Sequence, residues 1–400
     1  METLKKIAKL LFGSVTAKIL QFIFFFWVAK LLTKNQFGQY AVSMTLFLIL
    51  LYPLLEFGSE LLINREASKG NRGYFFQIVY WKLIAFPFVA VLGLLIGRLV
   101  FNLNISILLF SAFFVLLKSL ENGNAACLRG INRTEIESFH LIFSRTLSIL
   151  LLAVVSIIAN KTLTIEFVIS IQIISIFISI IAIEKKYLLD IPLPQLNIKE
   201  LKKILIVGFP LALNSVAWLV YFKIDVLLIS RMINSAEAGT YEIAYKMLEA
   251  TFVLPGVIMA IVFRHLVCQQ TKKGGKEIFF YTAISLSITG IVIAISSVLI
   301  LPYFFPLLFN HHIKALNVYE VLAVAIPIIY LAHLTTQTLV VQKQNYTYLG
   351  ITLIGAIINF SLNIYFIDNY GMIGAAIATV ITEAFVLLFS GYFVYKHFRE

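Results

Sequence analysis

The run "VAWLVYFKIDVLLIS" (residues 216–230) places Lys223 and Asp225 inside an otherwise apolar stretch. Similar runs hold Lys18, Lys82, Lys118, Arg145 and Lys246, together with Glu121, Glu242, Glu249 and Glu383. Ammonium and guanidinium groups can bind an anion through charge-assisted hydrogen bonds. A sheltered carboxylate such as Asp225, Glu249 or Glu383 can take up a proton or a sodium ion. A charge at a bilayer centre costs about 2.5–3.5 kcal/mol, so six cations facing lipid would cost roughly 15–20 kcal/mol, more than a typical folding stability. Most must therefore face water or protein, or reach an interface.

Spacing sorts these groups. Residues two apart on a helix point about 160° away from one another, so Lys223 and Asp225 do not pair. Steps of four and three back from Asp225 reach Tyr221, Trp218 and Asn214, a polar and aromatic stripe suited to lining a cavity. Lys223 shares its face with Leu219 and Leu227 and needs a partner on another helix. Lys18 lies mid-run with Ser14 and Gln21 on its face, which favours the protein interior. Lys118 has Glu121 three residues on, so an anion-binding role competes with a buried ion pair. Lys82 and Arg145 lie near run ends, where snorkelling is the competing reading. Glu242, Lys246 and Glu249 alternate in sign on one face, an arrangement that reads as an ion-pair ladder or as a lysine available to an anion. Apart from Glu383 and the run-end Glu166 and Glu320, the interior carries more cations than carboxylates, and an electropositive cavity follows if they converge.

The elements that must position them are membrane helices. Hydrophobic residues make up 60% of the 400 residues and charged residues 13%, well below the roughly 25% charged of soluble domains. Apolar runs predict an all-α polytopic protein with twelve spans, roughly 10–32, 38–62, 75–97, 104–126, 139–159, 163–183, 203–230, 239–263, 278–301, 315–340, 347–367 and 373–395. Twenty Lys and Arg residues fall in the connections on one side against five on the other, which puts both termini in the cytoplasm. The net charge of +12 thus reflects topology, with anionic lipid headgroups as partners and no nucleic acid. A proline-bearing connection suggests two lobes, 1–190 and 201–400, joined by a linker at 191–200. "FGQYA" at Phe37 and "AGTYE" at Ala238 align Gly38 with Gly239 and Tyr40 with Tyr241, the echo expected of paired halves.

Other chemistry finds no pattern. The first run is too long for a signal-peptide core and lacks a small-residue cleavage site. Cys127 and Cys268 make no disulfide framework. There is no phosphate-cradling glycine loop and no nucleophile motif. The adjacent His311 and His312 point in different directions, so no metal site is expected, and no cofactor beyond a proton or sodium gradient.

Three segments carry a family likeness: "FGQYAVSMTLFLILLYPLLEFGSELLINREASKG" (37–70), "GFPLALNSVAWLVYFKIDVLLISRMINSAEAGTYEIAYKMLEA" (208–250) and "NFSLNIYFIDNYGMIGAAIATVITE" (359–383). "CLRGINRTE" (127–135) adds a cytoplasmic loop. In order and spacing the chain resembles the bacterial polysaccharide repeat-unit (O-antigen) flippases of the multidrug/oligosaccharidyl-lipid/polysaccharide exporter (MOP) superfamily. The resemblance implies two six-helix lobes around a central cavity. It also implies carriage of an undecaprenyl-diphosphate-linked oligosaccharide from the cytoplasmic to the periplasmic leaflet of the inner membrane, with a polysaccharide polymerase and a chain-length regulator as partners. The family varies at its cavity charges, so candidate diphosphate ligands are the whole set Lys18, Lys82, Lys118, Arg145, Lys223 and Lys246, with Asn214, Trp218 and Tyr221 as sugar-facing walls. A cation-coupled multidrug exporter of the same superfamily is the alternative, and an enzyme acting on lipid-linked sugars a more distant one.

Overall fold

The computed structural model describes residues 2–71, 73–158, 163–183, 195–268 and 272–399. Among them the secondary structure is helical and no strand occurs. The helices are α1 (Glu2–Leu31), α2 (Lys34–Leu46), α3 (Tyr52–Glu56), α4 (Ser59–Ser68), α5 (Gly73–Leu99), α6 (Ile105–Gly130), α7 (Thr134–Ile158) and α8 (Ile165–Ile183). They continue as α9 (Ile198–Met232), α10 (Ser235–Thr251), α11 (Val253–Cys268), α12 (Lys272–Leu308), α13 (Lys314–Ala323), α14 (Ala325–Val341) and α15 (Asn345–Arg399). A helix of 25 residues is about 38 Å long, enough to cross a hydrocarbon core of about 30 Å. Nine helical segments among the described residues are long and apolar enough to cross, and the bent pair α13–α14 makes a tenth. Gly371, at φ 61° and ψ −139°, divides α15 into two arms, and α10, which carries Glu242, Lys246 and Glu249, and α11 are each shorter than a full crossing. The protein is therefore a multi-pass all-α membrane protein, and these segments are consistent with twelve crossings.

The chain forms two compact units, Met1–Leu219 and Val220–Glu400, with the boundary inside α9. The linker expected at 191–200 lies partly outside the described residues, at 191–194. In the first unit α1 packs along α7, and α6 packs against α4, α5 and α8. Leu62, Ile63, Phe75, Ile78, Ala126 and Ile204 form one buried cluster there. In the second unit α14 packs against α15 and α12. Its cluster joins Tyr221, Ala332, Leu339, Ile351 and Val386.

Two local features position charged groups. The second crossing is not one helix: after α2 the chain makes a π-helical turn over Phe47–Leu51, then α3, then a break at Phe57 and Gly58. Both are left-handed, at φ 42° and 67°, a conformation that glycine tolerates and phenylalanine does not adopt without cost. The break lets the Phe57 carbonyl approach Gly208 so closely that a Cβ there would lie 2.1 Å from the oxygen. Second, the sequence echo marks equivalent helix starts. Thr33 caps α2 in a capping box with Gln36, and Asn234, 201 residues on, caps α10 by accepting from the Glu237 amide at 2.8 Å. Small residues let the helix start after Gly371 pack closely: Gly374, Ala375, Ala376 and Ala378 are buried.

Candidate functional site

In the first unit the charged groups gather on α3–α7. Lys82, on α5, is 1% exposed. Its Nζ donates to Glu56 Oε1 at 3.0 Å and to the Ser119 carbonyl at 2.7 Å. Glu56 also accepts from the Ser119 hydroxyl at 2.7 Å and from the Ser59 hydroxyl. Glu56 is the last residue before the break at Phe57 and Gly58, and Ser59 the first after it, so the break brings the Ser59 hydroxyl to the carboxylate that Lys82 binds. Lys82 does not snorkel; it is neutralised inside the protein.

Glu121, on α6, is fully buried and holds two cations on one oxygen, Lys118 Nζ at 2.6 Å and Arg145 Nη2 at 2.8 Å. Ser144 Oγ donates to its other oxygen at 2.7 Å. Glu121 thus serves two positive groups, with Glu60 near enough to act on Lys118 as well, and Lys118 is the more exposed of the two cations. Alongside, Glu60 Oε1 accepts from Asn122 at 3.1 Å and from the Tyr52 hydroxyl at 3.4 Å. Lys18 is exposed and has no hydrogen-bond or ion-pair partner among the described residues. Its face changes character along α1: Ser14, Lys18 and Gln21 are exposed or half-buried, whereas Phe25, Val28 and Leu32 on the same side are buried.

In the second unit Lys223 donates to Glu242 Oε1 at 2.9 Å and pairs with Glu249 Oε1 at 2.7 Å. Lys246 binds Glu249 Oε2 at 2.5 Å and lies 3.7 Å from Glu242. The Lys223 ammonium also sits 4.6 Å from the Tyr245 ring centre. Glu242 and Glu249 are two turns apart on α10, so Lys223 reaches in from α9 between them and the four charges cancel. The ladder read from spacing is present, and Lys223 finds the partner on another helix that it required.

Asp225, expected on a cavity-lining stripe, is 1% exposed. Its Oδ2 accepts from the Tyr241 hydroxyl at 2.5 Å and from Thr379 Oγ1 at 3.3 Å, while Oδ1 has no hydrogen-bond partner among the described residues. Glu383, one turn beyond Thr379 on α15, is buried beside Tyr221, whose hydroxyl faces the carboxylate outside ordinary hydrogen-bond geometry. Trp218 is 46% exposed, Tyr221 is buried, and the side chain of Asn214 lies outside the described part of the structure. His312 is buried against Thr240 at 3.0 Å while His311 is exposed, so the two histidines point apart.

Sequence reading missed Glu56 and Glu60 in the second crossing, and the Tyr241 and Thr379 contacts of Asp225. The available signal was the i, i+4 pair of carboxylates inside "YPLLEFGSELL".

Several solved structures share the fold. An inward-facing multidrug resistance MATE family transporter of the MOP superfamily matches with TM-score 0.77 at 12% identity, over 96% of this chain and 94% of that one. An outward-facing one matches with TM-score 0.69 at 13% identity, over 99% and 96%. A MOP superfamily transporter from Pyrococcus furiosus, described by the reverse polarity of its binding pocket, matches with TM-score 0.68 at 12% identity, over 99% and 96%. No curated protein matches. The model of the family described as polysaccharide biosynthesis protein matches residues 3–267, well over half of the chain, and the chain belongs to that family, with a fold shared by transporters of the MOP superfamily.

Proposed function

We propose that the protein moves a lipid-linked oligosaccharide, joined through a diphosphate to a polyprenyl carrier, between membrane leaflets by alternating access. It would act in a bacterial inner membrane with both termini cytoplasmic, alongside a polymerase and a chain-length regulator. The observation that carries this reading is Lys18: a mid-helix ammonium on a polar face with no carboxylate among the described residues to neutralise it, in a member of a polysaccharide biosynthesis family. Lys118, the more exposed of the two cations that share Glu121, supplies a second contact for a diphosphate, which offers oxygens to several donors at once. Gln21 and Trp218, both exposed, are suited to sugar hydroxyls and sugar faces. Lys82, Lys223 and Lys246 serve mainly to hold helices together, because their charges are already matched. Asp225, buried with one oxygen unpartnered, is the candidate for coupling to a proton or sodium gradient.

The test is reconstitution in liposomes with defined lipid-linked glycans, measuring which change leaflet. Lys18→Ala should lower the rate with normal insertion. Absence of lipid movement together with uptake of small organic cations would replace this reading with the multidrug exporter one. Asp225→Asn should alter dependence on the ion gradient; unaltered dependence removes it from coupling.

A further inference from the structure

A groove of about 510 Å³ opens in the second unit between the first turns of α12 and the last turns of α15. Phe279, Phe280, Val394 and Phe398 line it, and the Phe279 and Phe398 rings meet at 5.7 Å across the two helices. Its volume lies in the range of small-ligand pockets, but its walls are almost wholly apolar. Tyr281 and Tyr395 border it and are strongly exposed, as tyrosines are where a membrane helix meets the headgroup layer. The mouth is basic. Lys276 lines it, the Arg399 guanidinium lies 5.0 Å from the Tyr395 ring centre, and Lys396 is exposed on the same final turn of α15. Glu277 is the one acidic group among the lining residues.

We propose that this groove is a binding site for one anionic phospholipid. An acyl chain lies along the four apolar side chains, and the phosphate is held at the mouth by Lys276 and Arg399. Charge complementarity selects the occupant. A zwitterionic lipid would gain the apolar contact but no net attraction, whereas an anionic headgroup gains both. The lipid would tie the end of the last crossing to the start of α12. The site needs neither the diphosphate contacts nor the leaflet movement proposed above.

The experiment is native mass spectrometry of the full-length protein, delipidated and then offered equal amounts of phosphatidylglycerol and phosphatidylcholine. One phosphatidylglycerol should be retained in preference. Two rim charges removed, in Lys276→Gln with Arg399→Gln, should weaken that retention by about tenfold or more. Gly391→Leu should block the groove, because Gly391 is one of its lining residues and a Cβ there fits, meeting nothing closer than Thr335 Cγ2 at 4.0 Å. Circular dichroism and size-exclusion profiles establish folding, and the single Lys276→Gln, on an exposed residue, serves if the double variant misfolds. Equal retention of both lipids, retention unchanged in the variants, or displacement of phosphatidylglycerol by an equal amount of undecaprenyl phosphate would each overturn the proposal.

Discussion

Replacing Glu121 by glutamine tests whether one carboxylate holds the α6–α7 pair together. The glutamine keeps the shape but removes the charge that Lys118 and Arg145 approach at 2.6 and 2.8 Å. Two cations then face each other across a fully buried neutral amide. Removing one partner of a buried pair costs about 3–5 kcal/mol, chiefly because the remaining charge is stranded. Arg145 carries most of this, since its side chain is 11% exposed, whereas Lys118 at 22% can draw in water. Lys118→Met alone leaves Arg145 to neutralise Glu121 and should cost only about 1 kcal/mol. In the Glu121→Gln background, the same Lys118→Met change removes repulsion and should restore 1 kcal/mol or more, a non-additivity of the size seen for groups in contact, roughly 0.5–3 kcal/mol. Unfolding free energies measured by detergent titration in bicelles supply all four corners of the cycle. A Glu121→Gln protein within about 1 kcal/mol of the parent, or a Lys118→Met protein equally damaged, would refute the shared-carboxylate argument.

Three further outcomes follow from the geometry. Gly208→Ala should destabilise by about 1–3 kcal/mol, because its new carbon meets the Phe57 carbonyl at 2.1 Å, while Gly350→Ala, with open space, should be nearly neutral in the same unfolding assay. Lys82→Ala should cost about 3–5 kcal/mol by stranding Glu56, yet Lys82→Met with Glu56→Gln should recover most of it; equal losses in single and double variants would show that the pair does not act as a unit. Tyr241→Phe leaves Asp225 with only the longer Thr379 bond and should cost about 1.5–3 kcal/mol, read by thermal unfolding.

Crossings and approximate ends were legible because a bilayer demands long apolar helices, and runs such as 104–126 and 139–159 meet that demand openly. Lys118 with Glu121 and the Glu242–Lys246–Glu249 ladder were legible too, since both partners lie within two turns of one helix. Partners on other helices were not. Glu56 precedes Lys82 by 26 residues, and nothing in its neighbourhood announces that a left-handed Phe57 will turn the chain toward α5. Asp225 shows the limit of periodicity: the helical repeat says that Asp225 and Tyr221 share a side of α9, but not that Tyr241 and Thr379 stand opposite. Lys18 could be placed on a polar face but not at the level where that face passes from exposed to buried.

The ion pairs have a consequence for biogenesis. Lys118 and Lys246 find a carboxylate on their own helix, and Arg145, Lys82 and Lys223 find theirs on the crossing just before or just after in the chain. During synthesis no such cation waits longer than one hairpin for its counter-charge, so successive helical hairpins can leave the insertion machinery with these charges already masked. Lys18 emerges with no such chaperoning neighbour, and its hydration must be kept open from the moment α1 enters the membrane.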